Sequence, residues 1–416
     1  MKKVLALLLA VVMVIGVLAG CGGQANTGGQ TGTDQPSQAP SQSQGTQKDL
    51  EPIKLGNIQD LTGSASEAGV ANAWGVEYAV KMINSQGGIN GRMIELYTED
   101  CKNDATEALN AYRKLVDEIG IHALIGPPLS NSAATWKELV EEDQIPCVGH
   151  FMDESCTTDE NGNVYKYMFL AEPGCIQQSY SIAKFALEKL GIKTAGVLYN
   201  TANAFAVAHA KPFMDYINAK GGKIVVEETF SWSDADYSAQ AAKVAAANPD
   251  AVFLSDYAAQ AKLCYQQLRE AGYKGIILGA NTLALPFPTL VDGEIYDLYF
   301  LQNVDMFSEG TDCYDLLQAF FKENPDSTYP KVNACFGYDA VMVMADAMRR
   351  AKDPTDGAEV QALLEQTKDV PTSSGPITID PKTHRPVGMP MYIATYDENN
   401  NVKIVDKIFV SEDALK

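Results

Sequence analysis

The sequence predicts an α/β chain with two doubly wound parallel-sheet lobes joined by a multi-strand hinge. Three observations carry this. From Ile53 onward, short apolar runs alternate with amphipathic helical runs, the pattern of a parallel sheet with helices on both faces. The alternation stops at Glu172-Pro173-Gly174 and then restarts. The stretch from about residue 49 to Lys416 is also too long for one comfortable hydrophobic core.

The first residues read as an export signal, residues 1–20. Lys2 and Lys3 precede an apolar run, Val4 to Val17, that is too short and wrongly flanked for a membrane span. Leu18-Ala19-Gly20-Cys21 follows and resembles a bacterial lipobox. That resemblance implies diacylglycerol on Cys21 and cleavage before it. Two acyl chains suffice for stable anchoring, so the expected location is the extracytoplasmic face of the cell membrane. Residues 21–48 hold the lipidated cysteine and a linker. From Gly22 to Gln47 its only apolar side chains are Ala25 and Ala39, too few to offset the entropy of ordering. As a random coil it spans about 30 Å.

In the body, Ile53–Ile58 is expected as a strand and Asp60–Ser66 as a polar turn. Ala68–Ile83 reads as a helix with Val70, Trp74, Ala79 and Ile83 inward. A strand at Met93–Thr98, a helix at Ala105–Ile119 and strands near 122–125 and 146–149 follow. Gly126, Pro127 and Pro128 stop the strand at His122–Ile125. Ser130, Asn131 and Ser132 are then expected as N-caps of an amphipathic helix reaching about Glu142. Such a turn lies at the carboxyl edge of an open sheet, where ligands bind. Its free N–H groups and hydroxyls can hold a carboxylate without a lysine.

After Gly174 the expected order is helix 176–190, strand 194–199, helix 205–219, strand 223–229, helix 237–247, strand 251–255, helix 259–271 and strand 275–279. An internal echo accompanies the restart. Ile83-Asn84-Ser-Gln-Gly87-Gly88 and Ile217-Asn218-Ala-Lys-Gly221-Gly222 each precede a strand. The glycine pairs also read as ordinary helix C-caps. Beyond Tyr299 the chain changes lobes again. Helices are expected at Asp312–Glu323, Val332–Lys352 and Glu359–Thr367, and strands at Gly375–Asp380, Met389–Tyr396 and Val402–Val410. The lobes are accordingly assigned as 49–172 plus 303–373, and 173–302 plus 374–416.

Composition narrows the function. A net charge of −21 argues against nucleic acid and anionic membrane surfaces as partners. Eight cysteines, one of them Cys21, show no metal-ligand spacing, and four histidines form no HExxH. There is no Walker A or GxSxG motif. An enzyme is therefore not expected, nor a metal or a cofactor.

Several segments together resemble a known family: Ile53-Lys-Leu-Gly-Asn-Ile-Gln-Asp-Leu-Thr-Gly63, Ala79-Val-Lys-Met-Ile-Asn-Ser-Gln-Gly-Gly-Ile-Asn-Gly91, Leu124-Ile-Gly-Pro127, Asp236-Tyr-Ser-Ala-Gln240, Pro249-Asp-Ala-Val-Phe-Leu254 and Gly337-Tyr-Asp-Ala340. They are similar to substrate-binding lipoproteins of the branched-chain amino-acid (leucine/isoleucine/valine) type, with the type I periplasmic binding fold. The resemblance implies capture of a small ligand between two closing lobes. It also implies docking on an ABC permease with its ATPase subunits. It places the ligand carboxylate at Ser130, Asn131 and Ser132 and at the loop near Phe151 and Asp153. Tyr257 and Phe205 would come from the second lobe, and both also read as interlobe packing. Asn281 falls where the family places an acidic partner for the ligand ammonium, and Asp153 where it often places a threonine. Asn281 also reads as a turn residue and Asp153 as a local cap. Asp153 or Asp256 would then have to supply the missing negative charge, because a buried unpaired ammonium is very costly. The expected ligand is an amino acid or a related small polar molecule. The alternatives are a binder of small amides or carboxylates, and a ligand-sensing receptor component of the same fold. No transmembrane or kinase-like segment follows up to Lys416, which favours delivery over signalling.

Overall fold

The computed structural model describes residues 50–327 and 331–416. The expected leader, Cys21 and the linker lie outside the described residues. The chain begins with β1 (Ile53–Gln59), α1 (Ser66–Ser85), β2 (Ile94–Asp100), α2 (Ala105–Arg113), β3 (Ala123–Ile125), α3 (Ser130–Ala133), α4 (Leu139–Asp143), β4 (Cys147–Gly149) and β5 (Met168–Leu170). It continues through α5 (Cys175–Glu188), β6 (Thr194–Asn200), α6 (Ala204–Ala219), β7 (Lys223–Phe230), α7 (Ser238–Ala247), β8 (Ala251–Ser255), α8 (Ala258–Glu270), β9 (Ile276–Gly279), α9 (Phe287–Leu290) and β10 (Leu298–Gln302). The last part holds α10 (Asp312–Glu323), α11 (Asn333–Arg350), α12 (Gly357–Leu364), a small pair β11 (Ile379–Asp380) and β12 (Arg385–Pro386), then β13 (Met391–Tyr396) and β14 (Val402–Ile408).

Two large sheets result, as the α/β reading expects. The first is parallel throughout, in the order β2-β1-β3-β4-β5. The second runs β14-β13-β10-β9-β8-β6-β7, with β13 alone reversed and so antiparallel to both β10 and β14. The strands buried on both faces are apolar runs, such as Ala251–Ser255 with every residue buried. The chain passes between the sheets after β5, after β10 and before β13. Ile377, Ile379 and Met389 pack in the core of the first sheet, so residues up to Met389 stay with it rather than leaving at 374. The backbone of this segment finds partners there, as in the Ile379 N–H bond to Thr367 O and the Leu170 N–H bond to His384 O.

Helices α1 and α11 pack side by side on the first sheet. The buried residues of α1 include Ala71, Gly75, Val76, Ala79, Val80 and Ile83. The expected inward Val70 is instead 52% exposed, because the packed face is built from small residues. Gly75 and Gly337 sit at the crossing of α1 and α11. A Cβ on Gly75 would lie 2.0 Å from Ala334 O, and one on Gly337 2.0 Å from Asn72 O. The two backbones therefore touch, which glycine alone permits.

Other local expectations change. The helix from Ala105 continues past α2 as a wider π-helical turn, Lys114–Ile119, closed by Gly120 at φ 70. Ser130, Asn131 and Ser132 do not cap a long helix. Leu129 is the N-cap, α3 stops at Ala133, and the regular helix resumes only at Leu139. The reason is that the Ser130 and Asn131 side chains bond to other loops instead of their own helix. The strand expected at Gly375–Asp380 shrinks to the two residues of β11. β5 and β10 were not expected as strands.

Candidate functional site

In both sheets the parallel strands, β1–β5 and β6–β10, point their carboxyl ends at one cleft, the usual place for a ligand in open α/β sheets. A cavity of about 660 Å³ lies there, within the range of small-molecule sites of about 300–1,000 Å³. Both lobes line it. The turn after β1 gives Ser64 and Ala65, the start of α1 gives Glu67, and the exits of β3 and β4 give Leu129 and Met152. The second sheet gives Phe205, Trp232, Tyr257 and Asn281 from the exits of β6, β7, β8 and β9.

Three expected residues, Phe205, Tyr257 and Asn281, are thus on the wall. Phe205 and Tyr257 lie 5.8 Å apart between ring centroids, and Trp232 stacks on Tyr257 at 6.4 Å. These rings form an aromatic wall. The Tyr257 hydroxyl is buried without a hydrogen-bond partner. Burial first, and then the Asp256 charge, push its pKa up, so it stays a neutral donor. Asn281 Nδ2 reaches Asn303 Oδ1 at 3.5 Å. Asn303 in turn donates to the buried Glu172 carboxyl. Burial pushes the Glu172 pKa well up. This chain of groups ties the cavity wall to two of the lobe crossings.

The other expected residues stand just behind the wall. Ser130 is 3% exposed, and its Oγ accepts the Asp153 N–H at 3.2 Å. Asn131 Oδ1 accepts the Ala204 N–H at 3.1 Å, joining α3 to the start of α6 in the other lobe. Ser132 is buried. Phe151 is fully buried in the first lobe's second core and packs on Gly126 and Gly149. Asp153 caps the short turn Glu154–Cys156 by accepting the Ser155 N–H at 2.9 Å. Asp256 is 1% exposed. It accepts from Asn200 Nδ2, Asn203 Nδ2 and its neighbour's N–H, each at 2.7 Å. Burial raises its pKa against these bonds. Asp256 therefore braces the loops that carry Phe205 and Tyr257.

Sequence reasoning missed several wall residues. Gln302, at the end of β10, is 1% exposed, and neither its Oε1 nor its Nε2 has a partner. Thr282 Oγ1 is likewise buried and unpaired. Unpaired buried polar atoms are rare and call for a cause. The apolar run Leu298–Leu301 was the available signal for β10 and so for Gln302. Glu67 and Lys331 are the only charged side chains on the wall among the described residues, with Nζ to Oε1 at 3.7 Å. Among the described residues there is no cluster suited to a metal ion, and no helix is long and apolar enough to cross a membrane.

Comparison with known proteins follows the same lines. Residues 52–401 match the family described as periplasmic binding protein. Leu/Ile/Val-binding protein homolog 3 of Brucella melitensis is 25% identical over 326 residues, covering 78% of this chain and 86% of that protein. The Leu/Ile/Val-binding protein of Escherichia coli is 23% identical over 336 residues, covering 80% and 88%. Among solved structures, a leucine-binding protein of Thermotoga maritima superposes with a TM-score of 0.77 at 23% identity, covering 86% of this chain and 99% of that one. LivJ of Streptococcus pneumoniae, a branched-chain amino acid transporter substrate-binding protein in complex with isoleucine, gives 0.73 at 26% identity, covering 86% and 100%. These relatives are binding proteins, not enzymes.

Proposed function

The chain belongs to the periplasmic binding protein family, and on that premise we propose that it is the solute-binding protein of an ABC importer. In this reading it is lipid-anchored through Cys21 on the extracytoplasmic face. It captures an amino acid or related small polar ligand and delivers it to a permease driven by ATPase subunits. The observation that carries the reading is the cavity lined from both lobes, with an aromatic wall and unpaired polar atoms.

A ligand that touches both lobes favours the closed arrangement by its differential affinity. Phe205, Tyr257 and Trp232 pack on its apolar part, and Gln302, Thr282 and the Tyr257 hydroxyl supply hydrogen bonds. Asn281 links the wall to Asn303 and Glu172 at the lobe crossings. Ser130, Asn131, Ser132, Phe151, Asp153 and Asp256 hold the wall loops in place from behind.

Mass spectrometry of small molecules released from the denatured protein tests this, with a thermal-shift panel as its partner. A ligand at about a hundred times its dissociation constant adds about 2.7 kcal/mol, seen as a rise of a few degrees. Absence of any shift across amino acids, amides and simple carboxylates would remove the reading. A second ligand class, amides or non-amino carboxylates, is favoured by one observation: Asp153 and Asp256 both already accept N–H groups. The anchor is tested by Cys21→Ser and cell fractionation, with loss of membrane retention expected.

A further inference from the structure

Resting on the proposed capture of an amino acid, we propose that Glu67 and Lys331 receive the two charged ends of the ligand. The Glu67 carboxylate meets its ammonium and the Lys331 ammonium meets its carboxylate. Both side chains are on the cavity wall. No other charged side chain is, among the described residues. Their charges lie 3.7 Å apart, with the side chains 54% and 24% exposed. Glu67 is the more exposed partner, so its half of the pair is open to exchange with a ligand ammonium.

A zwitterion laid alongside makes a ring of four alternating charges, in which each charge has two opposite neighbours. Glu67 stands in the first turn of α1, and Lys331 precedes Val332 and Asn333, which also line the cavity. The charged end of the ligand would thus face the first lobe. Its side chain would face the aromatic wall and Gln302 of the second. This arrangement accounts for Asp153 and Asp256 being spent on backbone and amide partners. The ammonium needs neither.

The test uses the full chain and whichever amino acid shifts the wild type. Calorimetry compares that amino acid with its 2-hydroxy acid, which lacks the ammonium, and its carboxamide, which lacks the carboxylate. Glu67→Gln should weaken the amino acid about ten- to a hundred-fold and leave the hydroxy acid within about threefold. Lys331→Gln should do the same while sparing the carboxamide. A structural role would weaken all three compounds alike, which overturns the proposal. So does an amino acid that binds both variants as it binds the wild type. A wild type that binds no amino acid removes the capture reading itself, and with it this proposal.

An independent observation concerns sulfur. All the cysteines of the described residues are buried thiols, and Cys313 of α10 and Cys335 of α11 have their sulfurs 3.0 Å apart. A disulfide needs about 2.05 Å, a movement of about 1 Å within the core they share with Leu317 and Phe320. We infer that this pair is a disulfide cross-link site. A small disulfide such as oxidised glutathione is the oxidant. One cysteine thiolate attacks it and releases one glutathione thiol. The second cysteine thiolate then attacks the mixed disulfide and releases the other. Two protein S–H bonds are lost, one S–S bond forms, and the oxidant is reduced to two thiols. Burial pushes the Cys335 thiol well up, so the exchange belongs to folding, before the core closes.

The bond would fix the start of α11 two residues beyond Asn333, on the cavity wall. Protein folded with oxidised and reduced glutathione, then denatured and alkylated without reductant, should yield the 313 and 335 peptides joined, two hydrogens lighter than the separate thiols. Alkylation of both cysteines would overturn the inference. Reduction of the bond should speed amide exchange over 333–340, and unchanged exchange there would overturn the link to the wall.

Discussion

Gly75→Ala sets two effects of opposite sign against each other. Helix propensity alone makes alanine more stable than glycine inside a helix by about 1 kcal/mol. The crossing with α11 opposes this. The new methyl would lie 2.0 Å from Ala334 O, where ordinary contact is about 3.5 Å. α11 would have to retreat by roughly 1.5 Å. That helix buries Phe336, Val343, Met344 and Met348 against the first sheet and its neighbours, so a retreat opens voids along its length. Overpacking of this kind costs about 1–3 kcal/mol and occasionally more. The upper end applies because the clash is backbone on both sides. The net expectation is a loss of about 2 kcal/mol. For a folded body running from Leu50 to Lys416, an unfolding entropy of about 2.1 cal/mol/K per residue turns this into a fall of roughly 2–3 °C in calorimetry. Gly337→Ala should behave alike, and the double variant should lose less than the two together, since one retreat relieves both clashes. A melting temperature equal to or above the wild type would mean that propensity wins and that the helices have slack.

Gln302→Leu should raise the melting temperature of the ligand-free protein, because it removes an unpaired buried amide worth about 1–3 kcal/mol. It should also weaken ligand binding, and a variant that is destabilised with unchanged affinity would contradict both roles. Asp256→Ala strands two asparagine amides and one N–H, so a loss of about 3–5 kcal/mol is expected in chemical denaturation. His150 is buried, stacked on Phe336 at 4.8 Å, and held down to a pKa of about 3 by burial. Its stabilising contribution is full above the unfolded value of about 6.5 and is lost as pH falls from there toward 3, because only the unfolded chain takes the proton. His150→Phe should therefore gain on the wild type by about 1.4 kcal/mol per pH unit below 6.5, read as the difference in denaturation midpoints at pH 7 and pH 5.

Much of the architecture is legible in the residues. Runs such as Ile53–Ile58 and Ala251–Ser255 are apolar, short and bounded by turn residues, and they are strands. Asp312–Glu323 carries a clear N-terminal signal, with the Thr311 side chain accepting the Tyr314 N–H. Short strands without such boundaries were missed, as with Met168–Leu170. The face of α1 was misjudged because its tightest contact is made by Gly75, whose lack of a side chain is the reason for the contact and gives no hydrophobic signal. At the site, the strand exits were found but the facing residue was often displaced by one. Leu129 lines the cavity beside Ser130 and Met152 beside Asp153, while Tyr257, expected together with Asp256, does line it. Neighbours in an extended segment point opposite ways, and the polar member of each pair was needed to hold the loop. Polarity alone could not tell bracing from binding.

The interleaved order of the sheets has a consequence for how the chain acquires its shape. The core under the first sheet joins Ile53 and Ile94 to Val343, Met344 and Ile377. The second sheet is completed by β13 and β14. One face of the first sheet can close on early residues, from Ile58 to Leu170. Its other face, and the edge of the second sheet, must wait for the final third of the sequence. Such long-range closure is slow and leaves the waiting chain prone to aggregate. Shortening the chain from the carboxyl end should therefore abolish both halves at once rather than spare the first.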